Sequence, residues 1–364
     1  MRPLLLRSLL LTCIGVLLAA AATPCCAQEV ESMYGPLPVF EFHSGFWVNL
    51  HHFLYHEARA RLAAKEAHET GGKGSAPSLK QTPGSTVSLS PPEQKTWDDA
   101  IAYYITNYAG KDLLINIDLM LLKNQIEDFE DCDELTGRKK PRCDAGLPDR
   151  IGPILDAVAP IYRAHWWIDQ DRANRRWVAR VAPLVREQGV GLSERLADIY
   201  QTHWPKDKIR VDVCAFANSA GAYTTLDPLR VTIASTDSRN QGPEALEVLF
   251  HEASHGIASP VEAAISRECK QRDKPIPRDL WHALIFYTTG EVLRPVFKDS
   301  NADKGGVDAS TQPQKPNLVP YALEDILSQR GWEQYHLILV LYWQPYLDGK
   351  VSFEDAIAHL VSAA

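Results

Sequence analysis

Between Ile209 and Ile257 the apolar period of the chain switches from two to about 3.6, and that switch restricts its fold more than any other feature. Ile209 to Ala217 alternates and is rich in β-formers. Leu229 to Ser235 is a second short run of the same kind. Asn218 to Tyr223, with Gly221, reads as a turn or irregular strand between them. An antiparallel pair or small sheet is expected here. Gly242-Pro243 then opens a helix, with proline in the first turn and Glu244 near the positive end of the dipole. Leu246, Val248, Leu249 and Phe250 carry it to about Ile257.

The rest of the chain has a helical pattern. Phe46 to Glu66 can align Trp47, Leu50, Leu54 and Ala58 on one face. Thr70 to Gln94, rich in Gly, Ser, Pro and Thr, reads as a surface loop that stops at Pro91-Pro92. Two helical stretches broken near Gly110 fill Trp97 to Glu130. Ile151 to Glu187 follows, with breaks expected at Pro153 and Pro160 and with Trp166, Trp167 and Trp177 as core or helix contacts. Further helices are expected at Leu192 to His203, Asp279 to Leu293, Leu323 to Leu341 and Phe353 to Ser362, with a polar loop at Asp299 to Asn317. The expected class is mainly α with a small antiparallel β element (α+β). No clean linker divides it, so one domain is expected over residues 28–364, with a helical part (28–205) and a core (206–364).

The N-terminus reads as a secretion signal over residues 1–27. Arg2 and Arg7 precede the apolar run Leu9 to Ala22, and cleavage after Ala27 or after Ala22 suits the small residues there. The run is short for a membrane span, so a secreted or periplasmic protein without stable membrane insertion is expected, an uncleaved anchor being the alternative. Cleavage after Ala27 leaves Cys132, Cys143, Cys214 and Cys269, an even number that suits disulfides in an exported chain. Cys132 and Cys143 bracket a polar loop and form the first expected pair; Cys214 with Cys269 is the remaining one. The net charge of −8 and the lack of a long basic tract argue against nucleic acid as a partner.

The expected helix carries His251-Glu252-Ala253-Ser254-His255, a His-Glu-x-x-His pattern. Residues four apart share a helix face, so two imidazoles can reach one metal ion. Glu252 lies beside the first of them and can take a proton from water activated by zinc. A second histidine group, His43, His51, His52 and His56, includes the i, i+4 pair His52 and His56. Its aromatic neighbours Phe46, Trp47, Phe53 and Tyr55 favour a packed helix over a metal site.

A β-strand, a His-Glu-x-x-His helix and then a helix carrying an acid resemble the zincin metallopeptidases, and within them the gluzincin branch, over roughly Ile209 to Leu293. The metzincin pattern is absent, since Gly256 follows the motif directly and the next histidine is His282. The resemblance implies one Zn2+ per chain, a zincin-like core, and a downstream glutamate as third ligand. Glu291 is the first choice, after the small residues Thr288, Thr289 and Gly290; His282 is the rival, with Glu262 and Glu268 behind. His282 and Glu291 are nine residues apart, half a turn out of phase, so a straight helix cannot aim both at one ion. Tyr321 and Tyr287 are candidates for stabilising a developing oxyanion. The resemblance also makes Leu229 to Ser235 an edge strand, with Val231 to Ala234 against substrate.

The expected function is that of an exported zinc metallopeptidase with Glu252 as general base. The competing reading is an exported zinc-binding scaffold on the same fold with little or no turnover. A zinc hydrolase acting on a non-peptide amide or ester is a third.

Overall fold

The computed structural model describes residues 39–69, 87–113, 116–132, 135, 147–148, 150–302, 320–323 and 326–364. The expected signal segment, most of the loop from Thr70, the loop between Cys132 and Cys143, and most of the loop from Asp299 lie outside the described residues. The described chain is mostly helical around one four-stranded mixed sheet.

Strand β1 (Phe40–His43) leads into helices α1 (Phe46–Glu69), α2 (Pro91–Asn107), α3 (Ile117–Glu127), α4 (Ile151–Tyr162) and α5 (Ile168–Ile199). Strands β2 (Ile209–Cys214), β3 (Ala222–Leu226) and β4 (Leu229–Ala234) follow. Then come α6 (Pro243–Ser254), α7 (Ser259–Gln271), α8 (Leu280–Ala302), the short α9 (Ile326–Gln329), α10 (Glu333–Ile338), α11 (Gln344–Leu347) and α12 (Phe353–Ala363). No break occurs at Pro153 or Pro160. A widened π-helical turn, Arg163–Trp167, joins α4 to α5 just after Pro160, the kind of local adjustment by which a helix absorbs a missing backbone N–H.

The strand order is β1-β2-β4-β3, and the sheet corrects the expected antiparallel element. The β1–β2 and β2–β4 pairs are parallel, and only β3–β4 is antiparallel. The reason is topological. Asp227-Pro228 closes the β3–β4 hairpin, but β4 inserts beside β2 and leaves β3 at the edge. The expected edge strand Leu229 to Ser235 is therefore interior. Its backbone pairs with β2 on one side and β3 on the other, so Val231 to Ala234 have no open ladder to offer a peptide.

Period-two alternation sorts the strands onto two faces. Phe40, Phe42, Val211, Val213, Val231, Ile233 and Ala222 face a core built with α5, α6, α8 and α12. Cys214, Tyr223 and Ala234 face a second core built with α1 to α4. The sheet is thus covered by helices on both sides, which suits its parallel pairs. The cysteines follow this division. Cys214 and Cys269 are both free and buried, one in each core, so the expected bond between them does not form. Cys132 is disulfide-bonded, and its partner lies outside the described residues.

The face toward α3 carries a buried ionic layer. Lys123 Nζ lies 2.5 Å from Glu127 Oε1, with both side chains fully buried, an ion pair rather than a directed hydrogen bond. Arg230 donates to Glu127 at 2.7 Å, and Arg210 donates to Asp212 at 2.7 Å and to Glu130 at 2.9 Å. Burial pushes the Asp212 carboxyl up, but Arg210, Glu127 and Lys123 together outweigh it and hold the group below the usual carboxylate range. Removing one member of such a buried set strands the others. Glu127→Ala is expected to cost about 3–5 kcal/mol, read as a lowered urea midpoint, while Lys123→Met with Glu127→Leu should recover most of it. A cost below about 1 kcal/mol for Glu127→Ala would mean that the layer behaves as a solvated one.

Candidate metal centre

Helix α6 starts at Gly242, whose φ of +58° an L-residue rarely adopts, and Pro243 fills its first turn. Leu246, Leu249, Phe250 and Ala253 pack into the sheet-side core. That packing turns His251 and Glu252 toward β3 and α8. The helix ends at Ser254, three residues before the expected end, and His255 caps it in a helical conformation. Gly256 explains the early stop: a Cβ there would meet Leu229 Cδ2 at 2.5 Å, so a bare backbone lets the helix end close onto β4.

Helix α8 brings His282 against this pair. The ring centroids of His251, His255 and His282 form a near-equilateral triangle with sides of 5.1, 5.5 and 5.0 Å. One ligating atom from each imidazole lies within 4.8 Å of the others, and this is the metal-competent cluster among the described residues. Phe286 backs His251 at 3.7 Å between ring centroids, while Trp281 stacks on His282 at 5.1 Å and meets His255 edge-on at 5.5 Å.

Burial lowers all three imidazoles, that of His251 well below its usual range, His255 to about 4 and His282 to about 3. Each therefore presents an unprotonated nitrogen at neutral pH. The buried Nδ1 of His251 has no hydrogen-bond partner. Three neutral nitrogen donors with an orphaned buried ring nitrogen suit a borderline-soft divalent ion such as zinc. Around tetrahedral zinc, neighbouring nitrogens lie about 3.4 Å apart, so small side-chain rotations inward complete the fit.

Glu291 is not part of this cluster. Continuous helix through Gly290 keeps it out of phase with His282, and its carboxylate pairs with Arg294 one turn on, 2.9 Å from Nε and in closer contact with Nη2. The rival histidine, His282, is the one that lies beside His251 and His255. Gly290 serves another contact, since a Cβ there would sit 2.9 Å from Ala322 Cβ. Tyr287 donates its hydroxyl to Gln344 at 2.7 Å, which commits it away from an oxyanion role. The side chain of Tyr321 lies outside the described residues. Glu262 lines an open groove of about 410 Å³ with Ile265, Ile276, Pro277 and Trp281, and Glu268 pairs with Arg272.

Glu252 is half-buried, and desolvation pushes its carboxyl up to about 7 against the opposing pull of Thr224 and Arg330. Thr224 Oγ1 lies 2.7 Å from Glu252 Oε2 and 2.8 Å from its carbonyl oxygen. Alternation on β3 sets this contact, because Tyr223 and Thr225 face α3 while Thr224, opposite Val231, faces α6. The sequence reading missed Thr224 and Arg330. A polar residue among the apolar positions of that face was the available signal for Thr224. The N-terminal histidines are packed, as their aromatic neighbours indicated. His52 is bonded to the Val48 carbonyl at 2.7 Å and to the Tyr223 hydroxyl at 2.7 Å, and His56 stacks on Phe216 at 4.5 Å.

The triangle predicts which residues hold metal. By calorimetric zinc titration, His282→Ala should weaken binding by more than about a hundredfold, and Glu291→Ala should leave it within about threefold. The reverse pattern would restore the carboxylate ligand. Compared with protein-family models, with curated proteins and with solved structures, the chain gave no match.

Proposed function

We propose that the protein is an exported zinc-dependent hydrolase acting on peptide bonds, with His251, His255 and His282 as the zinc ligands and Glu252 as general base. The observation that carries this reading is the triangle of unprotonated imidazoles with a desolvated carboxylate one residue from the first of them. Three protein ligands leave one coordination position open for chemistry. When bound, zinc supplies a Lewis acid that polarises the carbonyl under attack and makes water a competent nucleophile at neutral pH.

The remaining work falls to the chain's own residues. Glu252 accepts a proton from the attacking water and returns it to the leaving amine, a role that suits a carboxyl titrating near neutrality. Thr224 positions that carboxylate from the edge strand. With β3 at the sheet edge, its outer ladder is the place for an extended peptide to pair. The groove walled by Trp281 offers a recess next to His255 and His282. Export is supported by the apolar segment Leu9 to Ala22 and by the disulfide at Cys132. No helix among the described residues is long and apolar enough to cross a membrane.

The test is hydrolysis of a mixed peptide library by the zinc-loaded protein. Glu252→Gln should lower turnover by at least about a hundredfold while binding zinc normally, and Thr224→Val should lower kcat by roughly tenfold with little change in KM. Stoichiometric zinc without turnover in wild type would favour the binding-protein alternative.

A further inference from the structure

The segment after α8 is locked against the site from two sides. Glu247 of α6, itself buried, accepts the backbone N–H of Ala322 at 2.8 Å. The bare backbone of Gly290 lets Ala322 and Leu323 close onto α8. From there α9 leads to Arg330 and, through the turn at Gly331 with φ of +73°, to Trp332.

Arg330 is exposed, yet its guanidinium is not loose. Its Cζ lies 4.7 Å over the Phe286 ring and 5.3 Å over the Trp332 ring. Phe286 is the ring that backs His251, and its centroid is 5.0 Å from that of His282; the Trp332 ring lies 5.4 Å from His282. The guanidinium thus lies on the two rings that touch His251 and His282, and its charge acts on His251, Glu252, His255 and His282 together. A ligand set of three neutral imidazoles leaves the full charge of a divalent ion in place, where a glutamate ligand would have reduced it. Arg330 adds a further positive charge near these imidazoles. Guanidinium has five N–H donors in a rigid fork that matches a carboxylate.

We infer that Arg330 is the anion-recognition residue of this site, holding a free carboxylate of the substrate beside the three imidazoles. The inference rests on the proposed metal site and narrows its substrates to amides that carry a free carboxylate near the scissile bond, as at the C-terminus of a short peptide.

Cobalt(II) binding tests it without assuming turnover, because the visible absorption of Co2+ reports its ligands directly. Wild type, Arg330→Ala and Arg330→Lys are loaded with Co2+ and titrated at constant ionic strength with acetate and, separately, with imidazole as a neutral ligand. Arg330→Ala should raise the acetate dissociation constant about tenfold and leave the affinity of imidazole for the bound Co2+ unchanged, with Arg330→Lys in between. Unchanged acetate affinity in Arg330→Ala overturns the inference, as does an equal loss for acetate and imidazole, which would make Arg330 a packing residue only. A wild-type protein that takes up no Co2+ overturns the metal reading and this inference with it.

Discussion

The packing of α8 along α6 is the contact on which the site depends. It presses three imidazoles into one desolvated corner, where none gains a proton and where nothing in the described protein satisfies His251 Nδ1. Burying that one unsatisfied ring nitrogen costs about 1–3 kcal/mol. The apolar side chains behind the imidazoles outweigh that cost. Leu246, Leu249, Phe250, Leu284 and Ile285 are all fully buried in the same core, and each contributes about 1.5–3 kcal/mol. The helices are therefore held together by their apolar faces, and the histidines are carried into proximity at the expense of stability. Such an arrangement persists where a ligand repays it.

The sheet supplies the second half of the site through its two dissimilar faces. One face is apolar and seats α6; the other carries Arg210, Asp212 and Arg230 under the buried Lys123 and Glu127. Thr224 lies on the apolar face at the open edge, and so meets Glu252. A one-residue slip of β3 would turn Thr224 toward α3 and leave the Glu252 carboxylate without its hydroxyl partner. The fold of the helical part thus bears on the site through strand register and through α5, which packs against both α6 and α8.

Local signals were legible in the sequence and long-range ones were not. The Gly242-Pro243 helix start, the two β-rich runs and the packed nature of His52 and His56 follow from nearby residues. The half-turn offset between His282 and Glu291 was also legible. It excluded one of the two as ligand without saying which, and a resemblance favoured the carboxylate that the structure turns toward Arg294. Strand β1, only four residues long, carries too little period to stand out. The parallel pairing depends on where β4 inserts, which no local pattern encodes. Arg330 follows a long polar segment, and its place over Phe286 depends on Gly290 and Glu247, far from it in sequence.

The proposed ion lies among His251, His255 and His282. Anomalous diffraction at the zinc edge from crystals of the zinc-loaded protein would locate it. A single peak is expected equidistant from the three imidazoles, about 2.0–2.1 Å from one nitrogen of each, with the Glu291 carboxylate still on Arg294. A peak bound by Glu291, or a zinc-saturated protein with no peak at the triangle, would contradict this proposal.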